Sequence, residues 1–166
     1  MSESETHKRL KKVACAFLKK TCVDVVALET KFRNIRSIAD ACGINLKKKE
    51  IRVIEVKATL QDYKRDKKLF NLTTSYYPHC HYFYIMCPTD VVKKDMVIDG
   101  IGLLHVDQCG IITIVKKPTK NTSRLKTMFD TTLKNAVRSI TNSLVYKYLR
   151  ADEETNILNR KGKRKK

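Results

Sequence analysis

Arg52-Val53-Ile54-Glu55-Val56-Lys57 is apolar at Val53, Ile54 and Val56, as a strand buried in the middle of a sheet is, yet it carries Glu55 and Lys57 two positions apart. Side chains alternate with period two along a strand, so both charges share one face. Burying either without compensation is costly, and the two need each other, a cation, or an opening to solvent at the strand's end. An ion pair at an exposed strand end and a buried functional site both remain open at this point.

Upstream, residues 37–44 read as the preceding strand, in which Asp40 is the only charged side chain among small and apolar neighbours. The turn at Lys47-Lys48-Lys49 joins it to a strand over 51–58, which brings Asp40 toward Glu55. Residues 22–28 are apolar and β-branched and predict a first strand running on toward 29–32. Residues 5–20 place Leu10, Val13, Ala14, Phe17 and Leu18 on one face of an amphipathic helix, with lysines on the other.

Downstream, Thr59 and Asp62 form a capping arrangement for a lysine-rich helix over 60–72. His81 to Cys87 is aromatic and apolar on both faces, the mark of a buried strand. Residues 101–107 and 111–116 flank a Gln108-Cys109-Gly110 turn and predict an edge hairpin. Asn121 to Ser123 cap a last helix whose stripe is Leu125, Met128, Thr132, Leu133, Ala136, Val137, Ile140, Leu144 and Tyr148. The expected fold is α/β: a central mixed sheet with an α-β-β-β-α-β core, an added hairpin and a C-terminal helix. Residues 1–150 form one domain, and 151–166 a basic, disordered tail.

Lys and Arg number 35 against 17 Asp and Glu, a net charge of +18. Removing the six basic groups of residues 159–166 still leaves +12, so the folded body itself presents a field that attracts phosphate backbones. The acidic start and the lack of any apolar run near ~20 residues argue against a signal peptide or a membrane span. Cys15, Cys22, Cys42, Cys80, Cys87 and Cys109 lack paired short spacing, as expected of reduced thiols in the cytoplasm.

Two carboxylates beside a lysine suit phosphodiester cleavage. Mg²⁺ prefers oxygen ligands and keeps several waters, so it needs few protein ligands. It offsets developing charge on phosphorus and acidifies water, while an ammonium orients the nucleophile or stabilises the transition state.

Asp40 followed fifteen positions later by Glu55-Val56-Lys57, within this element order, resembles the PD-(D/E)XK nuclease superfamily, with Ala39 where the motif has proline. The flanking sequence is similar to the MmcB-like branch associated with DNA repair. Thr59, Asp62-Tyr63, Asp66 and Lys68 match that branch, as do Tyr77-Pro78-His79-Cys80, Pro88, Gly102-Leu103-Leu104 and Gly110. The likeness spans about residues 22 to 115. It departs at Leu69, where the branch often has tryptophan, and in its lysine-rich composition.

The resemblance implies Asp40, Glu55 and the Val56 carbonyl as ligands of Mg²⁺ or Mn²⁺, and Lys57 as the catalytic lysine. It implies Glu29 as a further catalytic carboxylate for a second metal or a water. Glu5 is the rival for that role in other branches, and otherwise a solvated helix residue. Thr59, Asp62 and Asp66 would support the site, or the two aspartates merely offset nearby charge. Lys64, Arg65, Lys67, Lys68, Arg160, Lys161, Lys163 and Arg164 are the expected nucleic-acid contacts.

The expected function is a Mg-dependent endodeoxyribonuclease acting on DNA in repair, recombination or phage metabolism. The alternatives are a non-catalytic nucleic-acid-binding protein on the same fold, and a protein inhibitor of a nucleic-acid enzyme. Substrate structure and pairing into a homodimer stay open. A zinc reading of His79-Cys80-His81 with Cys87 lacks the spacing of structural sites, nothing brings Cys80 to His105, and Tyr76, Tyr77, Tyr82 and Tyr84 fit core packing or base stacking.

Overall fold

The computed structural model describes residues 4–21, 24–32, 38–70, 76–123 and 129–162, with the backbone alone described at 68, 145, 146 and 148–162. Helix α1 (Glu5–Thr21) leads into strands β1 (Val25–Lys31), β2 (Ile38–Asn45) and β3 (Glu50–Val56). A short helix α2 (Leu60–Arg65) precedes β4 (Tyr82–Pro88), β5 (Gly102–Val106), β6 (Ile112–Lys116) and a long α3 (Phe129–Gly162).

The strands form one six-stranded sheet in chain order, β1 to β6. The β1–β2, β2–β3 and β5–β6 pairs are antiparallel, and β3–β4 and β4–β5 are parallel. A meander and a hairpin thus flank a parallel centre, the mixed sheet that the sequence predicts. β3 is central because every residue but Arg52 is buried, which fits its near-continuous apolar run.

Each face of the sheet buries its own core. Leu10, Ala14 and Leu18 of α1 pack with Ala41, Ile54, Val56, Tyr84, Met86 and Leu104. The other face gathers Ile51, Val53, Phe83, Ile85 and Leu103 with Tyr63 of α2 and Ala136 of α3. Gly102 is required at its position: an added Cβ would lie 2.6 Å from Cδ1 of Tyr84. Gly110 closes the β5–β6 turn at φ 86°, a backbone state that side chains disfavour.

Helix α3 lies against β1, the first strand of the sheet. Asn135 Nδ2 donates to the Lys31 carbonyl and Ser139 Oγ to the Leu28 carbonyl. Polar side chains thereby satisfy carbonyls along an edge that would otherwise invite another strand.

Three expectations need correction. The helix expected over 60–72 ends at Arg65, because Asp66 leaves the helical conformation (φ −82°, ψ 82°) and a 3₁₀ turn follows at Lys67–Phe70. The stripe of α3 is only partly inward: Thr132 and Ala136 are buried, whereas Val137 and Leu144 are exposed because α3 runs along one edge instead of across the sheet. The backbone of residues 151–162 continues α3 where the sequence reading has a disordered tail.

Candidate functional site

The site forms where β2 and β3 part. Their register ends at Ala41↔Ile54; one further step would set Asp40 opposite Glu55. Instead Asp40 Oδ2 accepts the Val56 backbone N–H at 2.8 Å. At the same level β1 passes from Leu28↔Ala41 to Thr30↔Ala39, which leaves Glu29 opposite Asp40. Glu29 has φ 52°, in the left-handed region that a glutamate rarely adopts.

Side-chain alternation slips here in both strands. Ala27 and Phe32 pack into the same core, as do Ala39 and Cys42, although an odd separation should place each pair on opposite faces. The slip re-aims Asp40 toward α1, the kind of local irregularity that bulged strands use beside functional sites.

Glu55 and Lys57 are both buried, at 9% and 6% exposure. Lys57 Nζ donates to Glu55 Oε1 at 3.2 Å and to Asp66 Oδ2 at 2.8 Å. The second oxygen of Glu55, Oε2, is buried and meets no hydrogen-bond partner. Burial first, and the Asp40 carboxylate second, push the Glu55 carboxyl up to about 8 against the opposing pull of Lys57. Burial alone would lower the Lys57 ammonium, but Glu55 and Asp66 overcome it and raise it to about 12. The lysine therefore stays charged while the cluster lacks enough positive charge to keep Glu55 ionised.

The supporting residues are in place. Thr59 Oγ1 accepts the Asp62 N–H at 3.1 Å, and Asp62 Oδ2 accepts the Ala58 N–H at 3.3 Å, which fixes the turn just past Lys57. Asp66 holds the lysine because the helix ends there.

Two residues escaped the sequence reading. His7 Nε2 lies 3.2 Å from Asp40 Oδ1, and Lys11 Nζ lies 2.9 Å from Glu29 Oε1 and 3.6 Å from Asp40 Oδ1. The signal was available: His7, Lys11, Ala14 and Leu18 follow one another at i, i+4, i+7 and i+11, so both polar groups continue the buried face of α1.

Other candidates lie elsewhere or serve packing. Glu5 is exposed and paired with Lys8 at 2.8 Å. Lys64, Arg65 and Lys67 are exposed beside Asp66. The side chains of Lys68, Arg160 and Lys161, together with Lys163 and Arg164, fall outside the described residues. His81 Nδ1 accepts the Ile51 N–H, Cys80 and Cys87 are buried, and His105 Nε2 bonds the Val92 carbonyl. Among the described residues no three His, Cys, Asp or Glu side chains are grouped to hold a metal by themselves. Tyr76 and Tyr84 are core residues. No helix among the described residues is long and apolar enough to cross a membrane.

Comparison with known proteins agrees with the fold and with a DNA-repair role. A solved structure from Silicibacter pomeroyi, described as a protein of unknown function, superposes with a TM-score of 0.71 at 19% identity, covering 92% of this chain and 96% of that one. At that identity the likeness concerns the fold. No curated protein matches. The profile of the MmcB-like DNA repair proteins matches residues 2–143, so that it takes in α1 with His7 and Lys11 as well as the strands. The chain belongs to the MmcB-like DNA repair protein family.

Proposed function

We propose that this protein is a metal-dependent nuclease of PD-(D/E)XK type that hydrolyses phosphodiester bonds of DNA during repair. The observation that carries this reading is the Glu55 carboxylate: it is buried beside Asp40, and its Oε2 meets no partner. A buried oxygen left without a partner can take up a cation, and two carboxylates on diverging strands suit Mg²⁺ or Mn²⁺, which keep most of their waters. Asp40 and Glu55 would hold the ion. The Val56 carbonyl is the third candidate, since an extended residue turns its N–H and C=O toward the same neighbour and the Val56 N–H faces Asp40. Bound there, the ion would supply an acidified water and charge stabilisation at phosphorus.

The chain's own residues supply the rest. Lys57, held by Glu55 and Asp66 and kept protonated by them, presents a fixed ammonium to the attacking water or to a phosphate oxygen. Asp66 and the Thr59–Asp62 turn set its position. Glu29, at the exposed rim and paired with Lys11 through Oε1, would accept a proton from water through its other oxygen. The +18 charge holds the polyanion.

A second reading, a DNA-binding protein of this fold without cleavage, draws on Asp40, both of whose oxygens already have partners within the chain. Labelled duplex, single-stranded and branched DNA and RNA incubated with Mg²⁺ or Mn²⁺ separate the two. Ion-dependent cleavage by the intact protein, lost in Lys57→Ala while binding persists, is the expected result; binding without cleavage on every substrate supports the second reading.

A further inference from the structure

Lys11 is a buried cation aimed at the carboxylates from the opposite side to Lys57. Its side chain is 11% exposed, and its Nζ reaches both Glu29 Oε1 at 2.9 Å and Asp40 Oδ1 at 3.6 Å. Asp40 Oδ2 is committed to the Val56 amide. Oδ1 is therefore the oxygen through which Asp40 would meet an ion, and it is the oxygen that Lys11 and His7 touch.

We infer that Lys11 is a resident counter-cation of the carboxylate cluster, which a divalent ion must displace from Asp40 and which Glu29 then retains. The inference rests on the proposed metal site. An ammonium and a divalent ion at one carboxylate oxygen repel each other, and between side chains 11% and 13% exposed the repulsion is only partly screened. Glu29 makes displacement feasible. Its carboxylate already lies nearer to Lys11 than Asp40 does, and it sits at the exposed rim, so the ammonium moves to a partner it has and does not become an unpaired buried charge. α1 would then keep the cluster intact without metal while holding the affinity for metal down. Lys11 would thus be a positioning residue for Asp40, in a helix that also packs the core.

Mn²⁺ titration of the full-length protein without DNA, followed by electron paramagnetic resonance of the free ion, tests this. Lys11→Met keeps the apolar stem and removes the charge; it is expected to bind Mn²⁺ about tenfold more tightly than wild type, with Lys11→Arg close to wild type. Lys11→Met should also melt lower than wild type without Mn²⁺ and gain more on adding it, a pattern that a purely structural lysine would not give. Lys11→Gln repeats the measurement if Lys11→Met does not fold. Equal Mn²⁺ affinity in wild type and the neutral variants overturns the inference and leaves the site reading standing. Undiminished binding by Asp40→Asn puts the ion elsewhere and overturns both.

Discussion

Asp40 accepts the Val56 backbone N–H through Oδ2 at 2.8 Å, so a carboxylate replaces the carbonyl with which β2 would have continued its ladder to β3. One residue thus serves both the fold and the site. Asp40→Asn keeps an oxygen that can accept the amide, whereas Asp40→Ala strands the buried N–H and removes one contact of His7 as well. Urea denaturation should show Asp40→Ala about 1–3 kcal/mol less stable and Asp40→Asn close to wild type, while both lose metal-dependent cleavage. Equal stability of the two variants would remove the carboxylate from the fold's account.

Glu55 predicts the pH dependence of stability in the metal-free protein. Burial and Asp40 raise its folded-state value to about 8, above the ordinary 4.5. The folded state therefore binds the extra proton between these values, its contribution is complete below the unfolded value, and stability is lost as pH rises toward 8. Glu55→Gln has no proton to lose. It should flatten the decline between about pH 4.5 and 8 and be more stable than wild type near pH 8 by about 1–3 kcal/mol. Denaturation midpoints of both proteins at several pH values check this, and parallel profiles would show that Glu55 ionises normally.

Much of this was legible in the chain. The apolar run with Glu55 and Lys57 fixes a central strand, and the isolated Asp40 marks its neighbour, because period-two alternation makes charges on a buried strand conspicuous. The role of Lys11 was hidden by composition: in a helix with Lys8, Lys11, Lys12, Lys19 and Lys20, one buried lysine resembles its solvated neighbours until the face that it shares with Ala14 and Leu18 is traced. The length of α2 was hidden for another reason. The capping arrangement at Thr59 and Asp62 points to a helix over 60–72, but the Asp66 carboxylate bonds Lys57, a contact made across the fold that local propensity does not carry. The slip at Glu29 and Asp40 likewise arises from pairing between strands and leaves no local signature.

Asp66 offers a test of lysine positioning apart from charge. It accepts from Lys57 Nζ at 2.8 Å, shorter than the 3.2 Å to Glu55. Asp66→Ala leaves Lys57 with Glu55 alone and free to turn away from the site. Single-turnover cleavage should slow by about 10–100-fold, as for other residues that orient a catalytic group without touching substrate, while DNA affinity remains near wild type. Unchanged single-turnover rates would show that Glu55 suffices to place the lysine.

The exposed Lys64, Arg65 and Lys67 flank Asp66 and lie within a short stretch of chain from Lys57. Phosphates drawn there would run past the carboxylates, so this cluster should position DNA at the site instead of merely raising solubility. Each lysine or arginine that neutralises a phosphate releases counterions, and removing one lowers the slope of log affinity against log salt by about 0.9 on duplex DNA. The triple glutamine variant should therefore bind DNA more weakly at low salt with a slope smaller by about 2–3, whatever the DNA sequence. Cleavage at saturating DNA should persist, since Lys57, Asp40 and Glu55 are untouched. Anisotropy titrations across a salt series measure the slope, and an unchanged value would move the DNA path to another face of the protein.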